Sequence, residues 1–176
     1  MCIRDSTHTE QYEYVDEFGF LNYTTFSSLG DGHILANQVY SPKTIKINLV
    51  NNKTENILKS NKDDFYSNQD LNNWQKHAIK STYYNQIIKL DSDKFIRIIW
   101  SGVDPENGKN GFLEKSQIIQ LFDAEMNCLK EIELPANTYG IYSWFTSQNQ
   151  LYLQTSHPLY EDLIENSFEI HRISFE

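Results

Sequence analysis

The sequence predicts an all-β fold, specifically a partial β-propeller with about three four-stranded antiparallel blades from a larger six- or seven-bladed ring. Aromatic and β-branched segments alternate with tight polar turns, and this arrangement occurs three times. The turns are Gly30-Asp31-Gly32, Asp91-Ser92-Asp93 and Ser147-Gln148-Asn149. The strands that follow them begin at residues 33, 94 and 150, so the repeat recurs at intervals that are typical of propeller blades.

The first repeat, at residues 20–58, contains four predicted strands, which we name a to d in chain order. They cover residues 23–28, 33–40, 44–49 and 55–58. Strand c alternates along its length, with Ile45, Ile47 and Leu49 on one face and Lys46 on the other. This period of two predicts a strand that covers a core with one face.

The second repeat, at residues 83–135, places strands a to d at 84–89, 94–100, 117–122 and 129–134. Its strand b is apolar on nearly both faces. Such a strand is expected where a sheet is covered on both sides, because a free two-layer arrangement would expose half of these side chains. The sequence therefore predicts a sheet stacked between two others.

The third repeat, at residues 139–176, provides strands a to c at 141–146, 150–155 and 167–175 but no strand d. Propellers often close when a strand from one terminus completes the blade of the other, since closure removes exposed edges. Residues 1–6 match the translated end of a sequencing adapter. We therefore expect residues 7–176 to be the C-terminal fragment of one longer propeller domain.

The connections between the predicted strands differ in length on one side of the scaffold. Residues 59–82 form a polar connection with a possible short helix at 71–79, which Asp70 would cap. The connections between strands b and c cover residues 41–43, 102–115 and 157–166. Variable loops on a regular scaffold are where binding sites usually lie.

Composition limits the possible partners. The formal net charge is −9, and no basic stripe is present, which argues against nucleic acid and anionic membranes as partners. No apolar run approaches the roughly 20 residues of a membrane-spanning helix. Outside the adapter segment Cys128 is the one cysteine, and no zinc-type spacing of Cys and His occurs. We therefore expect neither a metal nor another cofactor.

Five residues are candidates for ligand binding, each with a simpler structural interpretation. His157 and Tyr160 lie in a long loop, where a histidine is more often merely solvated. Trp74 lies in the polar connection and could form an exposed aromatic contact. Asp104 and Glu106 belong to an acidic, glycine-containing loop that lacks the register of a calcium site, so an ordinary turn is favoured.

The sequence contains no recognisable catalytic set. The predicted inner strands, at residues 23–28, 84–89 and 141–146, carry no Asp or Glu, whereas a glycosidase on a propeller would need carboxylates near the axis. Neither a nucleophile elbow nor a suitable Cys/His pair occurs. Trp100 and Trp144 are interpreted as packing residues within strands.

Three segments resemble a known family: 84–97, 118–123, and the ending from Trp144 through Leu151-Tyr152-Leu153 to Phe168-Glu169-Ile170. They are similar to the C-terminal part of an uncharacterised β-propeller-like family of Bacteroidota, the domain of unknown function 4221 (DUF4221) type. The resemblance covers about residues 15–176. It implies an exported, lipid-anchored protein of the periplasm or cell surface, and it supplies no catalytic residues.

We therefore expect a non-enzymatic propeller at the cell envelope that binds a glycan, a peptide or another protein through its longer loops. The alternative is a carbohydrate-active or peptide-processing enzyme whose catalytic groups belong to preceding blades. Acidic residues on the inner strands of those blades would favour the enzyme.

Overall fold

The structure, a computed structural model, describes residues 24–58, 74–103, 111–140, 142–161 and 169–175. Helix α1 (Trp74–Lys80) and a 3-10 turn (Gly111–Glu114) accompany the strands of these ranges. The strands are β1 (Thr24–Gly30), β2 (His33–Gln38), β3 (Thr44–Asn48), β4 (Thr54–Leu58), β5 (Tyr83–Tyr84), β6 (Ile88–Lys89), β7 (Phe95–Trp100), β8 (Gln117–Phe122), β9 (Cys128–Glu133), β10 (Trp144–Ser147), β11 (Gln150–Gln154) and β12 (Ile170–Ile173).

The strands form three antiparallel sheets. Sheet A has the order β1-β2-β3-β4, and sheet C has the order β10-β11-β12. In sheet B, β5 and β6 both pair with β7, which is followed by β8 and β9. Each strand predicted from the sequence overlaps an observed strand, so the prediction of an all-β fold is confirmed.

One predicted strand, at residues 84–89, is interrupted. Tyr84 pairs with Ile99 and Ile88 pairs with Ile96, so this side of the ladder holds one residue more than β7 opposite. An extra residue produces a bulge and bends the strand. The bend buries Ile87, whose carbonyl oxygen accepts a hydrogen bond from the Ser27 hydroxyl of sheet A.

Strand β7 lies at the centre of the core, and all six of its residues are buried. Ile96, Ile98 and Trp100 belong to one apolar cluster together with Leu151 and Leu153 of sheet C. On the opposite face, Phe95 packs in a second cluster that includes Leu35 of sheet A. Sheet B therefore lies between sheets A and C, as the two-faced apolar pattern predicts.

Arg97 is the charged residue in this buried strand, and 2% of its surface is exposed. Its Nε and Nη2 donate to Gln120 Oε1 at 2.9 and 2.8 Å, and Nη1 donates to the Pro42 carbonyl oxygen at 3.4 Å. The guanidinium also lies 4.8 Å from the ring centre of Tyr84. Burial lowers the pKa of Arg97 to about 10, so the group keeps its charge at neutral pH.

Gln120 connects this buried charge to the edge of the sheet. Arg97, Gln120 and Glu131 are directly opposite one another on β7, β8 and β9. Gln120 Nε2 donates to Glu131 Oε1 at 2.7 Å, which fixes the amide with Oε1 toward the guanidinium. Through Gln120, the buried guanidinium of Arg97 is thus linked to the carboxylate of Glu131, which lies outside the core.

We predict that Gln120→Ala lowers the free energy of unfolding by about 1.5–3 kcal/mol, because it removes an acceptor from a buried charged donor. The double variant Arg97→Met/Gln120→Leu should recover most of this loss, since apolar replacement of both partners removes the unsatisfied groups. Urea unfolding curves measure both values. A double variant no more stable than Gln120→Ala would contradict this role for Gln120.

Candidate functional site at the loop-bearing end

The sheets have two unlike ends. In sheets A and B the tight turns after the first and third strands lie at one end, which we call the turn end. The opposite, loop-bearing end carries α1, residues 39–43, and the described parts of the connections between β7 and β8, between β9 and β10, and between β11 and β12. The antiparallel order of the strands places the longer connections of each sheet at the same end of that sheet. Contacts such as the hydrogen bond between His157 and the Leu113 backbone join the connections of neighbouring sheets.

Helix α1 packs against the β7–β8 connection. Val103 N donates to the Ile79 carbonyl oxygen at 3.0 Å. At Gly102 an added Cβ would lie 1.9 Å from the Lys80 carbonyl oxygen, so a side chain there would force the helix and the connection apart. This contact requires glycine at position 102.

Lys115 is a buried amine that links these segments, with 7% of its surface exposed. Its Nζ donates to the carbonyl oxygens of Ser81 at 2.6 Å and Ser101 at 3.1 Å. Desolvation lowers the pKa of Lys115 to about 7. The side chain thereby satisfies two backbone carbonyl groups from different connections.

His77 and Ser81 lie beside this amine. The Ser81 Oγ is 3.2 Å from His77 Nδ1, and the imidazole meets the Tyr40 ring edge-on. Burial, followed by the charge of Lys115, lowers the pKa of His77. A serine and a histidine in contact suggest nucleophilic chemistry, but both residues are buried, so a substrate has little access to them.

Aromatic rings connect this interior to the surface. Trp100 stacks on Tyr83 with ring centres 4.8 Å apart and meets Tyr142 edge-on at 5.2 Å. Trp100 is fully buried, in agreement with its interpretation as a packing residue, whereas 69% of Tyr142 is exposed. Tyr142 is therefore an exposed ring that packs on the buried ring of Trp100.

The candidate His157 is buried, with 2% of its surface exposed. Its Nδ1 accepts a hydrogen bond from Leu159 N at 3.1 Å, and the ring forms another with the backbone of Leu113. Burial lowers the pKa of His157. The imidazole thus ties the β11–β12 connection to the 3-10 turn of sheet B.

The remaining four candidates are distributed as follows. Tyr160 is partly exposed, and its N donates to the His157 carbonyl oxygen at 2.9 Å, so these two residues are brought together. Trp74 begins α1, but its side chain lies outside the described part of the structure. Asp104 and Glu106 also lie outside the described residues. A binding role for any of the five stays a prediction.

A hydrogen-bonded set that the sequence reasoning missed lies beside Tyr160. The Tyr139 hydroxyl is 2.9 Å from His171 Nδ1, and His171 Nε2 is 3.3 Å from Glu169 Oε2. Glu169 and His171 are two residues apart in extended chain, a spacing that could have indicated the pair. Tyr139 is 32 positions from His171, and no local pattern joins them.

The hydrogen bonds of this set fix the direction in which its protons point. With Nε2–H directed at Glu169, Nδ1 of a neutral His171 accepts a hydrogen bond from the Tyr139 hydroxyl. Burial, and secondarily Tyr160, raises the pKa of Tyr139, so its hydroxyl stays protonated at neutral pH. Within the described ranges, no group of three or more His, Cys, Asp or Glu side chains could hold a metal ion.

No helix in the described part of the chain combines the length and apolar character needed to cross a membrane. No family model and no curated protein matches the sequence.

The fold is similar to that in a crystal structure of a member of the DUF4221 family from Bacteroides vulgatus, with a TM-score of 0.66 and 11% sequence identity. The similarity covers 88% of this chain and 47% of that chain, so the present chain spans about half the length of the other protein. The resemblance predicted from the sequence is therefore confirmed at the level of the fold.

We predict that Lys115 makes the stability pH-dependent. Its pKa is about 7 in the folded protein and near 10.5 when solvated, so between these values the unfolded chain binds more protons. The free energy of unfolding should therefore rise from about pH 7 toward pH 10, by up to about 1.4 kcal/mol per pH unit from this group.

Urea unfolding at several pH values in this window measures the slope. Lys115→Met should lose this rise, whereas Lys89→Met, which removes an exposed lysine, should follow the wild-type profile. Equal slopes for Lys115→Met and wild type would show that the amine is not desolvated in the folded state.

Proposed function

We propose that the three sheets are blades of a β-propeller, at about residues 20–58, 83–135 and 139–176, within a larger ring. The repeated meander of sheets A and B supports this proposal, as does the position of sheet B with both faces covered. The fold similarity to a protein about twice as long is compatible with further blades.

We further propose that the loop-bearing end binds an extended ligand, a glycan or a peptide, without catalysing a reaction. The observation that carries this proposal is the convergence of the longer connections at one end, where buried Lys115 and His157 hold them together. Rigid support from buried polar groups is what a binding surface built on loops requires.

The exposed groups of this end suit such a ligand. Tyr142 provides a flat ring, and Tyr160 lies partly exposed in the neighbouring connection. Glu161 and Glu169 are exposed carboxylates that can accept hydrogen bonds from sugar hydroxyls or from basic peptide groups. Aromatic faces beside hydrogen-bonding groups are favourable for both ligand classes.

The enzymatic alternative has less support in this part of the protein. Strands β1, β5, β6 and β10, the innermost strands of the proposed blades, carry no carboxylate. The Ser81–His77 pair is buried, and Tyr139 holds its proton. Attachment to the cell envelope remains part of the proposal because of the family resemblance.

The test is a glycan and peptide array probed with the protein, followed by titration of each positive ligand. Tyr142→Ala and Tyr160→Ala should each weaken binding about ten-fold, corresponding to about 1.4 kcal/mol per lost aromatic contact. Val50→Ala is the matched control, because Val50 is exposed at the turn end. An equal loss with Val50→Ala, or turnover of any array polymer, would overturn the proposal.

A further inference from the structure

A second candidate site lies at the turn end of sheet A, away from the loop-bearing end. It is a cleft of about 260 Å³ formed by β2, β3, β4 and the turn between β3 and β4. Its lining includes His33, Lys46, Asn51, Lys53, Thr54 and Glu55. Every one of these side chains carries a polar or charged group.

The turn fixes the polar groups of the cleft. Asn48 Oδ1 accepts hydrogen bonds from Val50 N at 2.9 Å and Asn51 N at 3.2 Å. This orients the Asn48 amide so that Nδ2 donates to His33 Nε2 at 3.2 Å. Since Nε2 accepts, a neutral His33 carries its proton on Nδ1. The imidazole is held by its partner and retains one N–H donor.

The charged groups of the cleft are unpaired among the residues that the structure describes. Lys46 and Glu55 are directly opposite each other on β3 and β4. In the part of the chain that the structure describes, neither the ammonium groups of Lys46 and Lys53 nor the Glu55 carboxylate forms a hydrogen bond or an ion pair. Two cations and one anion leave a local excess of one positive charge, although the whole chain carries −9.

The charged and polar groups of the cleft favour one class of ligand. Two ammonium groups favour a carboxylate, and they distinguish an acidic sugar from a neutral one. The Glu55 carboxylate can bind hydroxyl groups, while its charge disfavours a dianion such as phosphate. The volume lies slightly below the range of about 300–1,000 Å³ for drug-sized ligands and therefore fits a single sugar ring.

We propose that this cleft binds a hexuronate ring, with its carboxylate between Lys46 and Lys53 and its hydroxyl groups toward Glu55. The site is independent of the proposed function, because it lies at the opposite end of the sheets and shares no residue with the loop-bearing end.

Amide NMR titration with D-glucuronate tests the proposal, using D-glucose and inorganic phosphate as controls. Saturable shifts should appear at the amides of Asn48, Asn51 and Lys53, with glucose binding about ten-fold more weakly and phosphate not competing. Comparison of D-galacturonate with a short oligogalacturonate distinguishes the source: tighter binding of the oligomer identifies the end of a glycan, and equal or weaker binding identifies a free uronate.

The double variant Lys46→Gln/Lys53→Gln should weaken D-glucuronate binding about five- to ten-fold. Lys43→Gln removes an exposed lysine outside the cleft and should leave the affinity unchanged. Amide chemical shifts in sheets B and C that match those of the wild type verify that the variants are folded. Equal binding of glucose, displacement by phosphate, absence of saturable shifts, or an equal loss in Lys43→Gln would overturn the proposal.

Discussion

The burial of β7 on both faces is the constraint on which the rest of the structure depends. Six consecutive buried residues require an apolar cover on each side, and sheets A and C provide these two covers. Arg97 is the exception in this strand, and its guanidinium is compatible with burial because Gln120 and the Tyr84 ring surround it. Because the three sheets are thereby held in a stack, the connections at the loop-bearing end are brought into contact with one another.

The polar groups of the backbone are satisfied in different ways at the two ends of the stack of sheets. At the turn end, residues such as Asp31, Asn52 and Asn149 adopt positive φ values of 49°, 57° and 63°, which keep the turns short and exposed. At the loop-bearing end some backbone carbonyl groups lie at buried or partly buried positions, those of Ser81 and Ser101 among them. Lys115 donates to both, and without this donor each carbonyl group would lose that hydrogen bond.

The strand positions could be predicted because they depend on local signals, namely the period of two and the Gly, Asp and Asn turns. The buried character of β7 could also be predicted, since a strand that is apolar on both faces must be covered on both sides to keep those side chains from water.

The contacts of the candidate site could not be predicted from the sequence. His157 belongs to a long loop in the sequence, yet in the structure it is buried and hydrogen-bonded to the backbone of Leu113 in the β7–β8 connection. The Tyr139–His171 hydrogen bond depends likewise on how distant segments are brought together, and the bulge at residues 85–87 depends on a contact with Ser27.

The buried position of Lys115 is not explained by its contribution to stability alone. Desolvation of the amine opposes folding at neutral pH, and within the described residues the amine contacts neutral carbonyl groups and the Phe112 ring. A long apolar side chain would avoid the desolvation of a charge but would leave both carbonyl groups unpaired. The fold thus accepts a costly cation in order to fix α1 and two connections in one arrangement. The apolar contacts of Ile96, Ile98 and Trp100 in the core contribute the stability that makes this arrangement possible.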